Sequence, residues 1–243
     1  MTIFEQISKL NKGIGILIDP DKFKTDNELN LYLEKVDYAQ PDIVLIGGST
    51  VSKIDFQNCV QLAKTKISAP LVIFPGGSHQ LSGKAEALLF LSLISGRNPD
   101  YLIGHHIASI DDLEKLDIEV IPTSYILIDG GKKSSVEYVS NTNPIPKESY
   151  SIARKTALAG KYLGHQLIYA DAGSGAIDCI NKTMIKTLSS LGSPLIIGGG
   201  IKTTEDITDA HNAGANLVVI GNKIEEDVDF LLDLKNIISR PSL

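Results

Sequence analysis

Three short glycine-rich stretches hold the residue types that bind a phosphate group. They read ADAGSGA, IIGGGI and VVIGN, and each continues an apolar run that is typical of a buried strand. Glycine lets an anion approach backbone N–H groups without a Cβ in the way. One such cluster would fit a plain tight turn, but three on successive strands predict a phosphate site. Its expected contacts are Gly173, Ser174, Gly175, Gly199, Gly200, Gly221 and Asn222.

Asp171 is an acid at the end of a strand that otherwise needs only to pack. Beside a phosphate site, its carboxylate would accept hydrogen bonds from hydroxyl groups on the rest of the ligand. The alternative is that Asp171 caps a turn or a helix.

A second polar cluster follows the first two predicted strands, in LIDPDK and LIGGST. Asp19 and Ser49 would face each other across neighbouring strand ends. One carboxylate and one hydroxyl suit Mg²⁺, which keeps several waters and takes further ligands from a substrate's phosphates. Lys22 would add a point charge to the same diphosphate. Asp21 competes with Asp19 for the metal, although Asp21 is better placed to cap the following helix. Spacing alone does not distinguish metal binding from simple capping as the role of these acids.

Eight apolar, β-branched runs place these residues at strand ends. Runs that are apolar on both faces are typical of a parallel sheet covered by helices. Eight strand–helix units in about 240 residues predict a (β/α)8 barrel, or TIM barrel, as a single domain over residues 1–243. An open doubly wound sheet is the alternative, but polar residues at nearly every strand end favour the barrel, whose strand ends share one rim. The runs span 13–19, 42–48, 71–77, 101–106, 124–131, 167–173, 195–200 and 217–222.

Three of the intervening segments carry helix signals. Residues 147–163 stop before Gly164, a typical C-cap, and residues 203–213 open with Thr203 as the predicted N-cap. Residues 223–238 place apolar side chains on one stripe.

The composition excludes several classes of protein. A formal net charge of −6 disfavours a broad basic face for nucleic acid. Cys59 and Cys179 lack the spacing of a disulfide or a metal site, and we interpret both as buried small hydrophobes. No apolar run is long enough to span a bilayer and no secretory signal is visible, so a cytoplasmic location is expected.

Six motifs, in order along the chain, resemble those of the geranylgeranylglyceryl phosphate synthase family. They read GILIDPDK, VLIGGST, LSLISGRNP, YADAGSGA, IIGGGIKT and VIGN, and the resemblance runs from about residue 13 to residue 227. The chain resembles the branch shared by many archaea and some bacteria more than the shorter heptaprenylglyceryl phosphate synthases. The resemblance implies a (β/α)8-barrel prenyltransferase that uses Mg²⁺ to join an isoprenoid diphosphate to the 3-hydroxyl of sn-glycerol 1-phosphate.

The resemblance also implies roles for individual residues. It assigns magnesium binding to Asp19 and Ser49. Two departures concern the site: the wholly apolar Ile16–Leu17–Ile18 stands where some members have a lysine, and Asp171 stands where some have glutamate. The first affects one phosphate contact, and the second shortens the reach of the proton acceptor. The resemblance assigns glycerol phosphate binding to Tyr169, Ala170, Asp171, Ala172, Gly173, Ser174, Gly175, Gly199, Gly200, Gly221 and Asn222.

The run ALLFLSLI, residues 87–94, is too apolar for an exposed barrel helix. It lies between the third and fourth predicted strands, where the resemblance implies an irregular segment in place of the third helix and a channel for the polyprenyl tail. A buried helix or a subunit contact is the alternative. Candidate contacts of the prenyl diphosphate are Lys22, Arg97, His105 and Tyr125, with a surface charge or pocket filling as their alternatives. His106 is a further rim candidate, whereas His79, His165 and His211 are expected to be structural or exposed.

The expected reaction combines these parts. Mg²⁺ on Asp19 and Ser49 offsets the charge of the leaving diphosphate, the glycine turns hold sn-glycerol 1-phosphate, and Asp171 takes its proton. A phosphosugar isomerase or aldolase barrel is one alternative, and a non-catalytic phosphate- or FMN-binding barrel is another. The resemblance further implies a homo-oligomer, dimeric or larger, and the water-insoluble tail predicts transient contact with membranes.

Overall fold

The computed structural model describes residues 1–238. Its eight strands are all parallel and pair in chain order, and β8 pairs with β1 to close a barrel. The predicted (β/α)8 barrel is confirmed. The strands are β1 Gly13–Ile18, β2 Ile43–Ile46, β3 Leu71–Ile73, β4 Ala87–Leu93, β5 Glu119–Leu127, β6 Leu167–Asp171, β7 Leu195–Gly198 and β8 Leu217–Ile220.

Helices fill most of the intervals between strands, and the β3–β4 connection has none. A 3₁₀ helix, Pro20–Lys22, follows β1, and a π-helix, Asp100–Gly104, precedes α4. The α-helices are α1 Ile3–Lys9, α2 Asp26–Ala39, α3 Lys53–Lys66, α4 His105–Leu113, α5 Ser135–Ser140, α6 Tyr150–Tyr162, α7 Lys182–Ser189, α8 Thr204–Asn212, α9 Asn222–Glu226 and α10 Phe230–Ile238.

The predicted fourth strand was wrong. Residues 101–106 form the end of the π-helix and the start of α4, and the fourth strand is Ala87–Leu93, within the run expected to form an irregular segment or a buried helix. β4 pairs with β5 along its whole length, from Ala87 opposite Glu119 to Leu93 opposite Tyr125. An irregular segment does replace the third helix, but it lies earlier, at residues 74–86.

Two of the predicted helices have the expected caps. Thr203 caps α8, and its side chain and that of Asp206 form a reciprocal capping box. Gly164, just past α6, has the positive φ of +96° that favours glycine. The third predicted helix, 223–238, is divided into α9 and α10 by residues 227–229.

The core has two layers. Side chains of the strands that point inward fill the barrel, and α1 closes its amino-terminal end by adding Ile3 and Ile7 to this inner layer. Glu119 at the start of β5 accepts the N–H groups of Ile3 and Phe4, which fixes α1 in place. Outward-pointing strand side chains pack against the helices. Both cysteines are free thiols; Cys59 is buried as expected, whereas Cys179 is only half-buried.

No helix within residues 1–238 combines the length and the apolar character needed to cross a membrane.

Candidate active site

One cavity of about 710 Å³ opens at the carboxyl ends of the strands. It has three parts, which keep the following names. The phosphate-side turns are Ser174–Gly175, Gly199–Gly200 and Gly221–Asn222, after β6, β7 and β8. The aspartate turn is Asp19–Lys22, after β1. The apolar arm is formed by Leu88, Phe90, Leu91, Leu93 and Tyr101.

The phosphate-side turns bring backbone amides to one side of the cavity. Gly199 and Gly200 have φ of +77° and +70°, a conformation that glycine adopts readily. Within residues 1–238, neither of their N–H groups has a hydrogen-bond partner. A Cβ on Gly199 would lie 2.5 Å from Asp171 Oδ1, so only glycine fits where the β6 and β7 turns meet. The turns therefore offer free donors in a small space, as anion binding requires.

Asn222 ties the β8 turn to the β6 turn. Its Oδ1 accepts hydrogen bonds from Ser174 Oγ at 3.1 Å and from Gly175 N at 3.0 Å. Asn222 is also the first residue of α9, so its own N–H points out of the helix start. Gly173 differs from the expectation of a ligand contact, because its N–H donates to Asp171 Oδ1 at 2.8 Å.

Asp171 is buried and held by two donors. Tyr125 donates its hydroxyl to Asp171 Oδ2 at 2.6 Å, and Gly173 N holds the other oxygen. Burial raises the pKa of the Asp171 carboxyl, and the hydrogen bonds from Tyr125 and Gly173 lower it. Tyr125, expected beside the prenyl diphosphate, thus contacts the acid of the phosphate side.

Aromatic rings form the floor of the cavity. Phe74 packs with its ring centroid 4.8 Å from that of Tyr169 and 5.9 Å from that of Tyr125. Tyr169 lines the cavity and is almost wholly buried. These packed rings restrict the movement of the Tyr125 phenol that holds Asp171.

The aspartate turn separates the roles of its two acids. Asp19 Oδ1 caps the 3₁₀ helix by accepting from Asp21 N at 3.1 Å. Asp21 instead accepts a hydrogen bond from Thr50 Oγ1 at 2.6 Å, which joins the β1 and β2 turns. Asp19 is half-buried, and this burial raises the pKa of its carboxyl.

The side-chain oxygen atoms at this turn match part of the set of ligands that Mg²⁺ needs. A Cβ on Gly48 would collide with Asp19 Oδ1, so glycine leaves room beside the carboxylate. Ser49 lines the same part of the cavity. Within the described chain, no group of three or more histidine, cysteine or acidic side chains is arranged to hold a metal. A cation here would depend on oxygen ligands from a substrate and water, as Mg²⁺ commonly does.

The apolar arm runs over β4. Leu88 and Phe90 belong to the outward-facing side of this strand, which a helix after β3 would otherwise cover. His106 on α4 contacts the Phe90 ring edge-on and lies 3.2 Å from Ser92 Oγ. Burial lowers the pKa of His106, which favours the neutral imidazole. The apolar run therefore lines the cavity as expected, but as a strand.

The remaining candidates fall into two groups. Lys22 and His105 line the cavity, and His105 packs edge-on against Tyr101. Arg97 is exposed and does not line it, since its guanidinium donates to the carbonyls of Ile94 and Gly96. Ala170 and Ala172 are buried beneath the turn. His79, His165 and His211 each bond a neighbouring carbonyl or hydroxyl group outside the cavity.

The cavity-lining residues that were not predicted include Phe74, Lys132 and Glu225. The position of Glu225 at a helix start could have been found in the sequence, because an asparagine followed three residues later by glutamate is the spacing of a helix start. Phe74 and Lys132 have no sequence feature that distinguishes them from other residues after strands.

Comparison with known proteins identifies the family of this chain. The chain matches the PcrB family over residues 8–238. It is 45% identical to the geranylgeranylglyceryl phosphate synthase of Zunongwangia profunda over 220 residues, which cover 90% of this chain and 93% of the relative. The synthase of Pyrococcus furiosus is 36% identical, with 86% and 83% covered.

A solved structure shows the same architecture. The crystal structure of (S)-3-O-geranylgeranylglyceryl phosphate synthase from Thermoplasma acidophilum, in complex with its substrate sn-glycerol-1-phosphate, superposes with a TM-score of 0.90. The two chains are 31% identical, and 98% of this chain and 97% of that chain are covered. The chain therefore belongs to the PcrB family, in which its close relatives are named geranylgeranylglyceryl phosphate synthase.

Proposed function

We propose that this protein is a prenyltransferase that joins a polyprenyl diphosphate, geranylgeranyl diphosphate, to the 3-hydroxyl of sn-glycerol 1-phosphate. The products are an ether-linked prenylglyceryl phosphate and diphosphate. One observation carries the proposal: a single cavity connects the phosphate-side turns, the aspartate turn and the apolar arm. These parts match an anionic acceptor, a diphosphate and a hydrocarbon tail. The sn-glycerol-1-phosphate bound by the Thermoplasma acidophilum relative supports the choice of acceptor.

The phosphate-side turns bind the acceptor. The amides of Gly199 and Gly200, with those at the start of α9, receive the phosphate oxygens. Tyr169 and Asp171 then face the glycerol, where the buried carboxylate accepts hydrogen bonds from its hydroxyls. Holding the acceptor at fixed points removes much of the entropic cost of bringing the two substrates together.

The aspartate turn receives the donor's diphosphate. Asp19 and Ser49 would hold Mg²⁺, which when bound supplies positive charge that stabilises the leaving diphosphate. Lys22 is on the same turn and adds a cation that can reach the diphosphate. The apolar arm takes the tail and excludes water from the reacting carbon.

The bond changes balance as a substitution at the allylic carbon. The C1–O bond to the diphosphate breaks, with the electron pair leaving on the diphosphate, and the acceptor's O3 forms the new bond to C1. The O3 proton passes to the Asp171 carboxylate, which the hydroxyl of Tyr125 holds in position. The chain's own residues thus bind, orient and deprotonate.

Two alternatives use the phosphate-side turns alone. A phosphosugar isomerase or aldolase barrel, or a non-catalytic phosphate- or FMN-binding barrel, needs an anion site but no hydrocarbon channel. The apolar arm over β4 favours the prenyltransferase.

The functional assembly we propose is a cytoplasmic homo-oligomer, dimeric or larger, that contacts membranes transiently to exchange its lipid-tailed substrate and product. Ile103, Ile107 and Ile110 form an exposed apolar stripe along the π-helix and α4, which is one surface available for such contacts.

The test is transfer of radiolabelled sn-glycerol 1-phosphate into an organic extract, with geranylgeranyl diphosphate as donor. Label should enter the organic phase with magnesium and stay in water with EDTA. Magnesium-dependent transfer from donors of different length would then show which prenyl chain lengths the protein accepts. Binding of sn-glycerol 1-phosphate without transfer to any prenyl diphosphate would contradict the proposal and favour a phosphate-binding barrel.

A further inference from the structure

The Asn222 amide lies between contacts of opposite kind. Its oxygen accepts from Ser174 Oγ and Gly175 N, and its nitrogen donates to Glu225 Oε2 at 3.2 Å. Rotating the amide by half a turn would place its NH₂ against two donors and its oxygen against a carboxylate. Glu225 and the Gly175 N–H therefore favour the same orientation of the Asn222 side chain.

The same carboxylate oxygen faces the aspartate turn. Lys22 Nζ lies 3.7 Å from Glu225 Oε2, a loose ion pair in which the Lys22 side chain is 43% exposed and that of Glu225 is 14% exposed. Burial raises the pKa of Glu225, while the charge of Lys22 lowers it. A long, exposed lysine side chain held this loosely can move to another anion at little cost.

Glu225 thus touches both ends of the cavity. Asn222, on one side of it, closes the phosphate-side turns, and Lys22, on the other, belongs to the aspartate turn. Both contacts are to side chains of the protein, so Glu225 acts through its neighbours.

We propose that Glu225 is a positioning residue with opposite effects on the two substrates: it supports acceptor binding by fixing Asn222 and opposes donor binding by restraining Lys22. The inference rests on the proposed function, since it requires an anion at each end of the cavity. Because Lys22 cannot pair fully with Glu225 and with a diphosphate at once, the carboxylate competes with the donor. The affinity for the acceptor increases, because the oriented Asn222 amide keeps the Ser174–Gly175 turn in place.

Two substitutions separate these effects. Glu225→Gln keeps an oxygen that accepts from Asn222 but removes the charge that faces Lys22, whereas Glu225→Ala removes both. We expect Glu225→Ala to raise the Kd for sn-glycerol 1-phosphate about tenfold, the loss of one hydrogen bond to a charged group, and Glu225→Gln to keep it within about twofold. Both variants should lower the KM for the prenyl diphosphate about threefold, as expected for removing one weak ion pair.

The measurements use the full chain. Calorimetric titration with sn-glycerol 1-phosphate alone gives the Kd, and initial rates at saturating acceptor give the KM of the donor. Asp233→Asn, which removes one exposed carboxylate on α10, should change neither quantity. In a Lys22→Met background, Glu225→Gln should no longer change the donor KM, because the two residues act together.

Several results would overturn the inference. They are an unchanged acceptor Kd in Glu225→Ala, an equal loss of affinity for both substrates in either variant, or a donor KM change that persists in the Lys22→Met background. The Glu225→Gln comparison with and without Lys22 decides the question by itself if Glu225→Ala does not fold. Failure of the wild-type protein to bind sn-glycerol 1-phosphate or to transfer the prenyl group would overturn the proposed function instead.

Discussion

The two acids of the aspartate turn differ in what holds them. Asp21 is bonded to Thr50 Oγ1, whereas Asp19 lies beside the space that Gly48 leaves open. We therefore expect Asp19→Asn to lower kcat about 100-fold or more, because the proposed anionic ligand for Mg²⁺ is lost, and to leave sn-glycerol 1-phosphate binding within about twofold. Asp21→Asn should keep most of the turnover, because asparagine still accepts from Thr50.

Steady-state rates across a magnesium titration distinguish these two variants. A loss in Asp21→Asn as large as that in Asp19→Asn would move the metal role to Asp21.

The hydrogen bond from Tyr125 to Asp171 predicts a change in pH dependence. This bond lowers the pKa of Asp171 against the raising effect of burial, so Tyr125→Phe should raise that pKa. In the proposed reaction the carboxylate form takes the proton, so activity should fall as the pH drops through this pKa, and the acidic limb should shift to higher pH in the variant. The profile of kcat/KM for the acceptor against pH measures the shift. Tyr138→Phe, which changes an exposed phenol, is the control; an unshifted limb in Tyr125→Phe would argue against Asp171 as the base.

Among the elements, β4 shows where sequence patterns were insufficient. Its residues are apolar on both faces like those of the other strands, but the β3–β4 connection has no helix, so the regular alternation of strand and helix placed the fourth strand one segment late. The run at 101–106 also starts with apolar residues, yet it forms the end of the π-helix and the start of α4, because β4 already occupies the place beside β5. Periodicity cannot show which of two apolar runs pairs with a neighbour.

The apolar arm exists because of that missing helix. Phe90→Trp adds ring volume on the outward face of β4, so it should lower kcat/KM for geranylgeranyl diphosphate about tenfold by excluding the end of the tail. Geranyl diphosphate, with half the carbons, should be much less affected, and the Kd for sn-glycerol 1-phosphate should not change. Rates with the two donors measure the ratio. Equal losses with both donors would show that Phe90 does not line the tail site.

At the scale of the whole molecule, the closed barrel decides what the sequence could predict. Glycine and acidic residues at strand ends predicted Asp19, Asp171 and the phosphate-side turns, because a parallel barrel brings those ends to one rim wherever they lie in the chain. The direction of a side chain at the rim depends on its neighbours. Arg97 therefore folds back onto its own turn, and Tyr125 faces Asp171 instead of a diphosphate. Neither contact leaves a pattern in the residues themselves.

The two anion sites proposed for the cavity predict two independent ways to stabilise the folded protein. A ligand at 100 times its Kd raises the free energy of unfolding by about 2.7 kcal/mol, which for a chain of this size raises the melting temperature by roughly 5–10 °C. sn-Glycerol 1-phosphate should do so with magnesium or with EDTA, because its proposed phosphate contacts are backbone amides. Inorganic diphosphate should do so only with magnesium, and Ser49→Ala should reduce this second shift and spare the first. Thermal melts with each ligand alone and with both test whether the two anions bind at separate sites. Shifts in melting temperature that add show two sites. A shift with sn-glycerol 1-phosphate that requires magnesium would show that both anions compete for the aspartate turn.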